Sequence, residues 1–207
     1  MTAATTTLEA HRKFLNAYYG PSRHIYDLTR KYYLFGRDRA LRELGQNRAW
    51  STLVEIGPGT GRNLRHLHRL RPDARLGGVE ASDEMLEHAR ERCPWASLAR
   101  GFAESADLSA VHGKAPDRIL FSYCLSMVGD ARGALERARQ ALAPGGEVVV
   151  VDFADMEGMP SALRGPFRGW LRTFHVSPLD AHLVEEGAKS VAYGPMRYFA
   201  IARFGKK

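Results

Sequence analysis

From Trp50 onward, short apolar runs alternate with stretches in which apolar residues recur every three or four positions. That alternation of a strand period with a helix period is the pattern of βαβ units. Ser51–Ile56 reads as a first strand, and Arg62–Leu70 as a helix with Leu64, Leu67 and Leu70 on one face. Ala74–Glu80 is a second strand. Ser82 and Asp83 are caps for a helix through Arg92, which Pro94 cannot continue. Asp117–Tyr123 is a further strand, and Asp130 caps a helix over Ala131–Leu142 that stops at Ala143-Pro-Gly-Gly146. Glu147–Phe153 is the most hydrophobic strand, and Val148–Val151, apolar on both faces, belongs in the middle of a parallel sheet covered by helices. The tail differs. Val191–Tyr193 and Met196–Phe204 flank Gly194-Pro195 with no crossover helix between them, so they are expected to pair antiparallel. An α/β domain follows, with a mostly parallel sheet finished by a hairpin.

Composition narrows this little but excludes much. A chain of 207 residues with 44% apolar residues holds one domain with a full core. No apolar run approaches the roughly 20 residues of a membrane span. Met1–Lys13 lacks an apolar h-region, so no signal peptide is expected. The two cysteines, Cys93 and Cys124, form no ligand-spaced cluster, so neither a disulfide framework nor a metal site is expected, and a reducing cytoplasm is the expected compartment. The net charge of +7 is uneven: residues 1–50 hold nine Lys/Arg against four Asp/Glu. Such a surplus suits nucleic acid, an anionic membrane surface or an acidic substrate.

Val54-Glu-Ile-Gly-Pro-Gly-Thr-Gly61 lies between a strand and a helix, where doubly wound folds bind nucleotides. Gly57, Gly59 and Gly61 are evenly spaced, and Pro58 supplies no N–H, which argues for a ligand without a pyrophosphate. Glu80 follows at the end of the next strand, where an acidic residue holds ribose hydroxyls. These residues resemble the class I S-adenosylmethionine-dependent methyltransferases over residues 51–153. The resemblance implies a single Rossmann-like domain with a mostly parallel seven-stranded sheet and an antiparallel C-terminal hairpin. It divides the chain into an amino-terminal helical lid over residues 1–49 and a methyltransferase domain over residues 50–207. It implies S-adenosyl-L-methionine as cofactor, with Glu55, Gly57, Gly59, Gly61 and Asn63 around the methionine part and Glu80 and Ala81 at the ribose. Met85 would cover the adenine, and Phe102, Ala103 and Glu104 stand where the family often has Gly-Asp-Ala. Ser122 and Tyr123 would end the fourth strand beside the cofactor.

Residues 18–40 hold five of the chain's eight tyrosines. Ile25–Arg30 with Tyr33-Leu-Phe-Gly-Arg37 resembles the diacylglycerylhomoserine N-methyltransferases of betaine-lipid synthesis, and a related branch methylates phosphatidylethanolamine. That resemblance implies successive methylation of a lipid amine. Tyrosine faces stabilise the quaternary cation such a reaction makes, so Tyr19, Tyr26, Tyr33 and Tyr123 are the candidates at the reacting amine. Arg30 is the candidate for a carboxylate of cofactor or substrate, with Arg37 behind it. A lipid substrate requires contact with the bilayer. Pro160–Phe174 supplies Leu163, Phe167, Trp170, Leu171 and Phe174 at helical spacing, with Arg164, Arg168 and Arg172 along another face. An anionic membrane surface is therefore an expected peripheral partner, at the inner face of the membrane. A soluble amine, a quinone precursor and a catalytically dead cofactor binder remain alternatives. Nucleic acid is not expected, since Phe121-Ser-Tyr-Cys-Leu-Ser126 lacks the Asn/Asp-Pro-Pro-aromatic signature that holds a nucleobase amine.

Overall fold

The computed structural model describes residues 34–207. Seven strands, β1 (Thr52–Ile56), β2 (Arg75–Glu80), β3 (Ser97–Arg100), β4 (Arg118–Ser122), β5 (Glu147–Phe153), β6 (Ala188–Tyr193) and β7 (Phe199–Gly205), form one sheet in the order β3-β2-β1-β4-β5-β7-β6. The first five are mutually parallel, and β7 runs antiparallel between β5 and β6. The helices are α1 (Arg37–Gln46), α2 (Arg62–Leu70), α3 (Asp83–Arg92), α4 (Ala131–Ala141), α5 (Ser161–Arg172) and α6 (Ala181–Glu185). This is the fold class expected from the sequence.

Alternation along β5 divides the core in two. Val149 and Val151 pack with Leu41, Leu44, Leu53 and Leu64 on one face of the sheet. Val148 and Val150 pack with Val54, Ile56, Leu135 and Phe204 on the other. Each such side chain contributes on the order of 1.5–3 kcal/mol by leaving water. Residues 34–49 are built into this core, because α1 buries Leu41 and Leu44 fully. The expected caps form: the Ser82 hydroxyl accepts the Met85 N–H, and Asp130 accepts the Gly133 N–H at 2.9 Å.

The sequence pattern missed β3 and α6. Ser97–Arg100 has polar ends and lies half exposed at the sheet edge, so burial left no apolar signature on it. The tail strand expected from Met196 begins instead at Phe199, because Met196 and Arg197 take left-handed φ of 54° and 52° in a turn opened by Pro195. Conversely, α5 forms through Gly165, Pro166 and Gly169. At β1 the strand order reverses, with β2 on one side and β4 on the other. In such sheets the ligand crevice opens beyond the carboxyl ends of the strands at that switch point.

Candidate functional site

The Gly57–Gly61 turn crosses that switch point. Gly57 has φ +68°, and a Cβ there would stand 2.6 Å from the Cys124 sulfur, so only glycine lets the loop approach the end of β4. Gly59, at φ +54°, has open space where its side chain would be, and this space belongs to the cleft. Gly61 faces the other way: a Cβ would meet Cys93 and Ala89, so its role is to let α2 pack on α3.

The cleft encloses about 1010 Å³ and opens to solvent. Gly57, Gly59, Asn63, Glu80, Ala81, Met85, Phe102, Ala103, Glu104, Ser122 and Tyr123, all candidates from the sequence, line it. Glu55 does not. It lies fully buried behind the loop and accepts the Asn63 amide at 2.7 Å. Tyr19, Tyr26, Arg30 and Tyr33 fall outside the described residues. Arg37, secondary to Arg30 in the sequence, does line the cleft from the start of α1, together with Arg62 and Leu34.

Glu80 is held by backbone. One carboxylate oxygen accepts the Gly59 N–H and the other the Ser82 N–H, each at 2.9 Å, which ties the end of β2 to the glycine loop. These bonds aim the carboxylate at the cleft, where an acidic group accepts ribose hydroxyls. Behind the loop, Glu55 Oε2 and Arg37 Nε are buried with no hydrogen-bond partner. Burial, only partly offset by Asn63 and Arg37, pushes the Glu55 carboxyl up to about 8. Burial and the neighbouring Arg62 lower the Arg37 pKa from its usual value. Arg37, with its unpaired buried Nε, and the Glu80 carboxylate line one cleft, which suits a ligand carrying groups of both signs. S-adenosyl-L-methionine does so, with an ammonium, a carboxylate and a ribose diol, and the residues present fit it. Arg37 would hold the carboxylate, Glu80 the ribose, and Met85 and Phe102 the apolar walls of the adenine. When bound, the cofactor supplies an electrophilic methyl on sulfur.

Tyr123 sits at the far end of the cleft. Its backbone takes φ +53°, a left-handed conformation that costs a non-glycine residue about 1 kcal/mol. The surroundings hold it there: its N–H donates to Val151 at 2.8 Å, its ring packs edge-on against Phe153, and its hydroxyl donates to the Phe35 carbonyl. Burial, then the nearby Asp152, pushes the phenol pKa up beyond its usual range, so it stays neutral. With its proton committed to Phe35, the hydroxyl oxygen has lone pairs to offer and no donor.

A second, small apolar pocket, about 300 Å³ when the open solvent at its mouth is included, adjoins the cleft at Tyr123. It shares Leu34, Tyr123 and Met127 with the cleft and is closed by Phe153, Trp170, Leu171, Phe174 and Val176. None of its described lining residues is charged. Sequence reasoning found the apolar stripe of α5 but not this pocket, which exists only because α5 returns to the ends of β4 and β5.

Residues 54–148 match a family model described as a methyltransferase domain. Trans-aconitate 2-methyltransferase of Paracidovorax citrulli is 35% identical over 113 residues, covering 55% of this chain and 42% of that protein. Demethylmenaquinone methyltransferase of Tropheryma whipplei is 32% identical over 146 residues, covering 70% of this chain and 57% of that protein. The chain thus spans about half the length of these relatives. Among solved structures, a Thermotoga maritima S-adenosylmethionine-dependent methyltransferase titled a possible histamine N-methyltransferase superposes with a TM-score of 0.67 at 19% identity, covering 91% of this chain and 98% of that one.

Proposed function

We propose that this chain, a class I S-adenosylmethionine-dependent methyltransferase by fold and by its matched methyltransferase-domain segment, methylates the head-group amine of a lipid, with diacylglycerylhomoserine as the leading substrate. The observation that carries this reading is the apolar cavity that meets the cofactor cleft at Tyr123. An acceptor whose reacting atom lies beside Tyr123 meets an uncharged, aromatic-lined surface on its apolar side. Tyr123 supports an amine in particular. A hydroxyl that presents only lone pairs favours an N–H donor and the cation that forms from it, and disfavours an oxyanion. Methyl transfer to a neutral amine is an in-line displacement in which nitrogen's lone pair forms the C–N bond as the C–S bond breaks. Alignment and exclusion of water are then the protein's main tasks, and the aromatic walls serve both. A tricarboxylate such as trans-aconitate is poorly matched to this uncharged cavity.

A second reading has one observation in its favour, the likeness to demethylmenaquinone methyltransferase. It also places a lipophilic acceptor in the cavity but methylates a quinone-ring carbon. Mass spectrometry separates the two. Incubation with S-adenosyl-L-methionine and detergent-dispersed amine lipids should add successive methyl groups to the lipid. Methylation of a demethylquinone with no product from any amine lipid would overturn the amine reading. Equal turnover of a water-soluble amine would overturn the role given to the cavity.

A further inference from the structure

Helix α5 is oddly supported for a helix of its length. It contains two glycines and an internal proline, which together cost about 5 kcal/mol relative to alanine. Yet Leu171 is its only buried residue, and ideal Cβ positions at Gly165 and Gly169 meet nothing. Leu163 and Trp170 are 61% and 41% exposed. Its apolar side is continuous with the mouth of the site. Ring centroids step from Phe174 to Trp170 at 4.9 Å, from Trp170 to Phe167 at 5.4 Å, and from Phe167 to Tyr198 at 5.5 Å. Tyr198 then meets Phe35 at 5.6 Å, and it is the Phe35 carbonyl that accepts the Tyr123 hydroxyl. Trp170 and Phe174 are themselves walls of the apolar cavity. A partly exposed aromatic rim, open to solvent at Trp170 and Phe35, therefore runs to the acceptor pocket.

The charge on α5 itself has one sign, with Asp155, paired to Arg197, the acidic group within reach of Arg168. Arg164, Arg168 and Arg172 recur at four-residue steps, and Ser161–Arg172 contains no Asp or Glu. An apolar ridge flanked by a row of arginines fits a bilayer interface whose surface potential is negative. We propose that α5 and the aromatic rim dock the protein on an anionic lipid bilayer, with the cavity mouth facing the acyl-chain boundary. This deepens the lipid-amine reading and rests on it: a substrate could pass from bilayer to cavity along the rim with its chains never fully in water. Leu163, 61% exposed, would leave water in that interface.

Docking can be measured without turnover, by sedimentation and by quenching of Trp170 with bromine-labelled acyl chains. The wild-type chain should bind vesicles of equimolar phosphatidylcholine and phosphatidylglycerol, and pure phosphatidylcholine only weakly. Joint replacement Arg164→Gln, Arg168→Gln and Arg172→Gln should weaken binding to the anionic vesicles roughly a hundredfold. Leu163→Ser should weaken it about tenfold. None of these residues lines either cavity, so both variants should keep S-adenosyl-L-methionine affinity and activity on detergent-dispersed lipid. Undiminished vesicle binding by the triple variant would overturn the proposal. So would a wild-type chain that ignores anionic vesicles, or that buries Trp170 in a dimer of itself. A chain that methylates dispersed lipid yet fails to bind vesicles loses the docking surface alone. One that binds vesicles but methylates no amine lipid loses the substrate reading alone.

Discussion

Glu55 shows how one residue can couple the loop's chemistry to the stability of the fold. It is fully buried on β1, bonded through one oxygen to Asn63 and through the other to nothing. Its carboxyl is raised from 4.5 to about 8, by burial above all. The folded protein therefore holds a proton that the unfolded chain releases between those values. Stability from this group is fully present below pH 4.5 and is lost as pH rises toward about 8, with a limiting slope of about 1.4 kcal/mol per pH unit. Glu55→Gln imitates the protonated form. Urea unfolding across this range should show the variant gaining on the wild type as pH rises, and parallel curves would refute the buried-proton account. Its place in the motif was legible in the sequence, but its distance from the cleft was not. The glycine spacing and the acidic residue at the end of the second strand announce Glu80 directly. Arg37 was visible in the sequence as the weaker carboxylate candidate behind Arg30, and the fold brings it to the cleft by packing α1 against α2.

At the scale of elements, the same residue type does different work at different turns. Gly36 caps α1 at φ +78°, and a Cβ there would stand 2.2 Å from a ring carbon of Phe199. Gly59 has a similar backbone but open space beside it. Alanine at either position pays the left-handed cost of roughly 1–2 kcal/mol. Only Gly36→Ala adds overpacking, worth about 1–3 kcal/mol more. Gly36→Ala should thus lower the urea midpoint well below that of Gly59→Ala. Gly59→Ala, whose methyl enters the cleft, should instead weaken S-adenosyl-L-methionine binding about tenfold or more by calorimetry. Equal stability losses would show that the Phe199 contact does not act. Elements with strong period or firm caps were legible: α2, α3, α4 and the valine strand. The edge strand β3 and the turn at Met196–Arg197 were not, since polarity and backbone strain decide them and neither leaves a periodic trace. Helix α5 was legible as an amphipathic stripe, although its two glycines and its proline oppose a helix by intrinsic propensity.

Across the whole molecule, the two ends of the sheet divide stability from function. The carboxyl ends of β1, β2 and β4 carry the glycine loop, Glu80 and Tyr123, whereas their amino ends are closed by Asp117. One oxygen of Asp117 accepts the N–H groups of Ser51 and Thr52 at 2.8 and 2.9 Å and both their hydroxyls at 2.9 and 3.1 Å, joining the start of β1 to the start of β4. Burial pushes this carboxyl up, but the donors outweigh it and hold its pKa below the ordinary 3.8. Its contribution is therefore present above that value and fades as pH falls through the depressed one. Asp117→Ala removes charge-assisted bonds worth roughly 1.5–3 kcal/mol. It should lower the free energy of unfolding at neutral pH by that much, lose its disadvantage against wild type in acid, and leave the cofactor dissociation constant of the folded protein unchanged. The last condition is the discriminating one. The clasp lies a full strand length from the cleft, and residues with no shared partners act additively. A Kd that shifted with Asp117→Ala would mean that β1 transmits strain from the floor of the sheet to the loop. The glycine loop would then be tensioned by the fold beneath it, where independence predicts that it is only carried.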